Sequence, residues 1–237
     1  MSNFENLVLT GTADINGTGN TLDNTVTGNS GKNTLAGGES GADTLAGAAD
    51  NDTYIVDRAG IAIVELSNAG IDLVRSSISF NLGGKQVENL TLTGTADING
   101  TGNSFANTIV GNTGKNQLNG GTDSDTLTGG SGADTFFFNT ALGATNIDSI
   151  TDFNVAADTI QLDDAIFNTI VGTGTLSLAQ FAANASGTAQ DADDRIIYDT
   201  DSGQLFFDSN GSGAGGSTQF ATVAAGLALT ANDFFVV

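Results

Sequence analysis

The chain has 237 residues, with 27 acidic against 6 basic side chains, a net charge of −21, 33 glycines, and no proline, cysteine or histidine. Without His or Cys there are no disulfides, thiol nucleophiles, serine–histidine relays, or zinc and iron sites built on imidazole or thiolate. So negative a field repels nucleic acid and anionic lipid and attracts small cations. Apart from Glu5, Glu39, Glu65 and Glu88 the acid is all Asp, a turn former rather than a helix former, so the charge is expected in turns.

Residues 1–20 are polar, with no basic start followed by an apolar run, so a cleavable signal peptide is not expected. No stretch of about eighteen apolar residues exists, so no membrane span is expected either. The chain enters its repeat within a few residues and without a capping element, as expected of a fragment or of a first coil covered by a partner.

An internal duplication follows. Residues 9–20 and 92–103 both read LTGTADINGTGN, and the likeness continues so that Val26 matches Ile109, Leu35 matches Leu118, Leu45 matches Leu127 and Tyr54 matches Phe136. The first copy, residues 7–56, carries one extra residue near 37–40, a local bulge; the second covers residues 90–138. Two copies of a Gly-rich, strand-sized period predict a solenoid built twice.

Residues 111–137 show the unit best: GNTGKNQLN, GGTDSDTLT, GGSGADTFF. Each unit opens on Gly, places Asn or Asp sixth and an apolar residue eighth. This is the pattern G-G-x-G-x-D-x-U-x of a calcium-holding parallel β-roll. Glycines permit the positive φ of the turn, the Asp supplies a carboxylate, the open backbone supplies carbonyl oxygens, and the last three residues make a short strand. Calcium takes roughly six to eight oxygens, more than one turn provides, so stacked turns are expected to share ions. A flexible loop is the competing reading, but a loop has no use for a fixed apolar eighth place.

The sixth places run Asn24, Asn33, Asp43, Asp52 and then Asn107, Asn116, Asp125, Asp134. In a two-sided roll each unit stacks on the unit two before it. Asp43 is therefore expected near Asn24, Asp52 near Asn33, Asp125 near Asn107 and Asp134 near Asn116. Asp43, Asp52, Asp125 and Asp134 are the expected calcium ligands, with Asp50 and Asp123 at fourth places as extra ones. The Asn turns are expected to bind weakly or to run as metal-free ladders.

Residues 57–89 lose the glycine period and read as short strands broken near Gly60, at Asn68 and Gly70, and at Gly83 and Gly84. They are expected to be metal-free coils of the same solenoid, with Glu65 and Arg58 or Arg75 as a solvated charged edge. Residues 139–237 form a second region. Residues 177–184, SLAQFAAN, predict a helix of about two turns, and residues 195–208 a hairpin turning at 199–203. Asp208 and Asn210 open a loop with the oxygen spacing of a calcium site, though its twelfth place, Gln219, is not the Glu of an EF-hand; a Gly-rich turn is the alternative.

The nine-residue units, IDSITDFNVAADTIQL, RIIYDTDSGQLFFDSNGSGAG and the terminal LTANDFFVV together resemble the C-terminal region of repeats-in-toxin (RTX) proteins, in particular the β-roll and export region that follows the catalytic domain of serralysin-like metalloproteases. The resemblance covers essentially the whole chain. It implies an all-β fold, a parallel β-roll or β-solenoid with a C-terminal β-rich lobe. It also implies bound calcium, export to the extracellular space through type I secretion machinery, and an uncleaved C-terminal signal matched here by Asp233, Phe234, Phe235, Val236 and Val237. In relatives, acids just after the last repeat close the final metal sites; Asp148 and Asp158 occupy that place.

Three functions compete at this stage. One is a secreted, non-catalytic calcium-folded module, with attachment to a cell surface or extracellular polysaccharide as a further role. Another is the export part of a larger protease, lipase or polysaccharide-acting enzyme. The third is a glycan-acting enzyme using paired carboxylates. Against metalloprotease or serine-hydrolase catalysis stand the missing H-E-x-x-H and G-x-S-x-G, and against a carboxylate pair the adjacency of Asp193 and Asp194, which would point to opposite faces of a strand.

Overall fold

The computed structural model describes residues 3–67 and 69–237; the expected break at Asn68 lies outside them. The fold is all-β. Short parallel strands wind into a two-faced solenoid, each coil giving one strand to each face. One face is a single twelve-stranded sheet. The other begins as four strands ending at Ala62–Val64 and resumes as seven strands from Phe80–Asn81. Across the link between the copies, Thr53–Val56, Leu73–Ser76 and Asn89–Leu92 pair in parallel register.

The eighth places make the core. Leu35 pairs with Tyr54, Tyr54 with Val74, Val74 with Leu90, Leu90 with Ile109, and Ile109 with Leu127. All six are fully buried. Their neighbours at the seventh and ninth places face outward, since side chains alternate along a strand. The stacking of each unit on the unit two before it holds throughout: Thr25 pairs with Thr44, Thr34 with Thr53, Thr108 with Thr126 and Gln117 with Thr135. Sixth places are 19 residues apart in the first copy and 18 in the second, which is where the extra residue of the first copy goes.

Both faces continue past residue 138. Asp148–Ile150 pairs with Thr126–Thr128, and Thr159–Leu162 with Thr135–Phe138. The hairpin of Ile196–Asp199 and Gln204–Asp208 is present, joined to the solenoid through Ser217–Thr222. The helix expected at 177–184 is absent. Only Leu178–Gln180 makes a single 3-10 turn, and Phe181–Asn184 is a strand paired in parallel with Ile196–Asp199. Four edge pairings there outweigh the weak preference of an Ala-containing run for helix. Phe234–Val236 pairs with Thr159–Leu162 on the second face and is itself covered by the edge strand Gly174–Thr175, with Phe234 and Val236 buried.

Candidate metal centres

The turn columns explain why both Asn and Asp serve at the sixth place. Asn33 Oδ1 accepts from the Asn29 N–H at 2.8 Å, and its Nδ2 donates to the Ile15 carbonyl at 2.7 Å and to Asn29 Oδ1 at 3.0 Å. Asn116 repeats this with Asn112 and Ile98 in the second copy. An amide carries acceptor and donor together, so an Asn turn closes on the coil before it without an ion.

The Asp turns are built differently. Asp52 Oδ1 accepts from the Asn33 N–H at 2.7 Å, Asp125 Oδ1 from the Asn107 N–H at 2.7 Å, and Asp134 Oδ1 from the Asn116 N–H at 2.8 Å. In each, Oδ2 is buried and has no hydrogen-bond partner. A carboxylate has no proton of its own to offer, so each orphaned oxygen requires a positive centre. First-place glycines leave room beside it: a Cβ on Gly120 would collide with Asp125 Oδ2, and one on Gly129 would lie 2.7 Å from Asp134 Oδ2.

At Asp43 the positive centre is visible. The Arg58 guanidinium donates to Asp43 Oδ2, to the Gly38 carbonyl at 2.8 Å, the Ser40 carbonyl at 3.1 Å and the Gly41 carbonyl at 3.2 Å. One cation thus gathers a sixth-place carboxylate and three turn carbonyls. This is the donor set, all oxygen and mostly backbone, that suits calcium. Arg58 is therefore no solvated edge, and its partner is Asp43 rather than Glu65. The spacing hid this, because 15 residues separate the pair.

The electrostatics agree. In the metal-free chain, burial pushes the Asp125 carboxyl up to about 8, with the charges of Asp148 and Asp123 adding to the rise. Burial likewise raises Asp134 and Asp52 to about 6 and Asp148 to about 7. Asp158 is raised too, chiefly by burial. Carboxyls that resist ionising while surrounded by other carboxyls are poised for a divalent cation. The residues present therefore fit calcium: Asp52, Asp125 and Asp134 would hold it with carbonyls of their turns, and the ion would neutralise the columns and join adjacent coils.

The remaining candidates fall into groups. Asp148 and Asp158 do follow the last repeats: the Asp125 N–H donates to Asp148 Oδ1 at 3.1 Å and the Asp134 N–H to Asp158 Oδ1 at 2.9 Å. Asp158 Oδ2 is already engaged by the Asn154 N–H at 2.8 Å. Asp50 and Asp123 stand at positive φ, 69° and 78°, where their units have replaced a glycine. Both side chains are exposed and accept from the next residue's N–H. Asp208 and Asn210 shape a turn, with the Asn210 N–H on Asp208 Oδ1 at 3.1 Å and Asn210 Nδ2 on the Ala214 carbonyl at 3.3 Å. Two acids missed in the sequence complete the column on the long sheet: Asp52 donates its N–H to Asp72 Oδ1 at 2.7 Å, and Asp72 donates its own to Glu88 Oε2 at 2.8 Å. The signal was available, since Asp72 stands two before buried Val74 and Glu88 two before buried Leu90, as Asp125 stands before Leu127.

A parallel β-solenoid with acidic turn columns, built on oxygen ligands alone, is a calcium-binding structural module. The RTX calcium-binding nonapeptide repeat family, in four copies, matches residues 18–54 and 101–136, the two copies of the duplication. No curated protein matches the chain. The chain carries an RTX-type calcium-binding β-roll, whose nonapeptide repeats bind calcium. Among the described residues no helix is long and apolar enough to cross a membrane.

Proposed function

We propose that this chain is a secreted, non-catalytic module that folds when calcium reaches it after type I export. The observation that carries this is the set of orphaned carboxylate oxygens on Asp52, Asp125 and Asp134, buried with no positive partner. Without calcium the columns repel themselves, the Gly-rich turns carry a high conformational cost, and the chain stays open. With calcium, binding free energy becomes folding free energy. Calcium is scarce inside cells and abundant outside, so the chain passes the transporter unfolded and locks beyond it. The ligands are Asp52, Asp125 and Asp134 with turn carbonyls, aided by Asp148. The same reading serves a chain whose passenger is an enzyme, in which case this region is its export and folding part.

Circular dichroism in chelator and then in calcium tests the reading. The expected result is a largely disordered spectrum that becomes β cooperatively on adding calcium and much less on adding magnesium, which tolerates the irregular carbonyl cage poorly. A β spectrum already complete in chelator overturns it.

A further inference from the structure

Glu65 and Asp72 lie outside the nonapeptide pattern, in coils that the sequence reads as metal-free. Yet one carboxylate oxygen from each of Asp52, Glu65 and Asp72 lies within 4.8 Å of the other two. That separation is about twice a calcium–oxygen distance, so a single ion can touch all three. We infer that Asp52, Glu65 and Asp72 form a calcium site in which the linking coils supply two of the three carboxylates and the Tyr54 phenol stands beside the ion.

Burial argues first. Asp52 and Asp72 are each 1% exposed, and Asp52 Oδ2, which faces this cluster, has no hydrogen-bond partner. The other oxygens are already spoken for by backbone: Asp52 Oδ1 by the Asn33 N–H, Asp72 Oδ1 by the Asp52 N–H and Glu65 Oε1 by the Leu66 N–H. Each carboxylate is thus held in place from one side. Asp52 Oδ2, left over, and Glu65 Oε2, which takes only a phenol proton, face the same place.

Charge argues next. Among the described residues the ion pairs are those of Arg58 with Asp43 and Asp57, so no basic side chain relieves these three acids. The Tyr54 hydroxyl donates to Glu65 Oε2, a neutral contact that cannot offset three negative charges. Space argues last. A Cβ on Gly47 would meet Asp52 Oδ2, the Tyr54 hydroxyl oxygen and Glu65 Oε2 together, so this glycine keeps an all-oxygen recess open. The recess lies where the interrupted face stops, Glu65 directly following the strand Ala62–Val64. A cation there ties the first copy to the linking coils where one sheet is missing.

The inference shares Asp52 with the calcium reading above, so its test is chosen to report this recess alone. The chain has two tyrosines and no tryptophan. The other phenol, Tyr198, is occupied by the Ala224 carbonyl at 3.0 Å and the Leu227 N–H at 2.9 Å. Terbium, a calcium-sized oxygen-seeking ion, emits when a phenol next to it absorbs light. Terbium added to the full chain is expected to give tyrosine-sensitised emission that calcium displaces. Tyr54→Phe should remove that emission and Tyr198→Phe should keep it. The pair Glu65→Gln and Asp72→Asn should also remove it and lower calorimetric calcium stoichiometry by one, with the β spectrum in calcium retained. Because the amide introduced by Asp72→Asn keeps an oxygen for the Asp52 N–H, the column itself survives this change. Emission that persists in the double variant, or that follows Tyr198, overturns this site while leaving calcium binding by the repeats intact. A chain that binds no calcium at all overturns both.

Discussion

Arg58 places its guanidinium on Asp43 Oδ2 and on three carbonyls of the same turn, so one repeat of the first copy is neutralised by the protein's own cation. Its counterpart in the second copy, Asp125, has no such partner, and its Oδ2 is left bare. Two copies of one repeat thus solve the same charge problem in two ways.

Replacing Arg58 should convert the first solution into the second. Arg58→Met keeps the aliphatic stem and removes the charge, leaving a fully buried Asp43 carboxylate unpaired. Breaking a buried pair in this way costs about 3–5 kcal/mol. At limiting calcium the variant is expected to be the less folded of the two. In calcium it should regain much of that loss and bind one more ion than the parent, read by isothermal calorimetry. An unchanged stoichiometry means that the turn without Arg58 does not take calcium.

Asp125→Asn tests the opposite exchange. Burial already pushes this carboxyl toward its neutral form, so an amide of the same shape should sit in the column at lower cost. In chelator the variant should keep more β signal by circular dichroism than the parent. Its calcium stoichiometry should fall, because the site loses a charged ligand. Asp97→Asn is the control: Asp97 is exposed and only accepts from the Lys115 N–H at 2.8 Å, so little change is expected. Equal effects of the two substitutions on calcium binding count against the column as the site.

Much of this was legible in the sequence, because the period is covalent information. The eighth-place residues Leu35, Tyr54, Leu118 and Phe136 had to be core once the nine-residue unit was recognised, and stacking by twos followed from a two-faced roll. Arg58 was hidden, since nothing in a local pattern says that a side chain will reach back across a coil. Residues 177–184 misled for a related reason. Their composition favours helix, but the waiting edge of Ile196–Asp199 lies outside the window that propensity sees. Asp72 and Glu88 kept the two-residue spacing to the core but had lost the glycines that mark the repeat.

The raised carboxyls also set a pH dependence whose sign depends on calcium. In the metal-free folded chain Asp52, Asp134, Asp148 and Asp125 titrate at about 6, 6, 7 and 8, against an ordinary 3.8. The folded state therefore binds protons more tightly than the unfolded state, and its stability falls as pH rises through that range. Calcium needs the ionised groups, so its contribution grows over the same range. The β signal in chelator should be lost as pH rises between about 4 and 8, and the gain on adding calcium should widen. A calcium gain that does not change with pH argues that these carboxyls are not the ligands.

The C-terminal strand separates export from folding. Phe234 is fully buried, with its ring 5.4 Å from that of Phe181, and Val236 is 1% exposed, whereas Phe235 and Val237 are 42% and 39% exposed. The strand alternates, so its two faces can be changed independently. Phe234→Ala should cost about 3–5 kcal/mol through the cavity it leaves, lowering the melting temperature in calcium. Phe235→Ser removes an outward ring and should leave melting nearly unchanged. If type I machinery reads this segment before folding, it meets both faces alike, and Phe235→Ser should lower secretion although the purified protein melts as before. Deleting residues 233–237 should abolish secretion while residues 28–137 still bind calcium. Secretion that stays at the parental level in Phe235→Ser and in the deletion removes export from the proposed function and leaves the strand as a structural part of the second face.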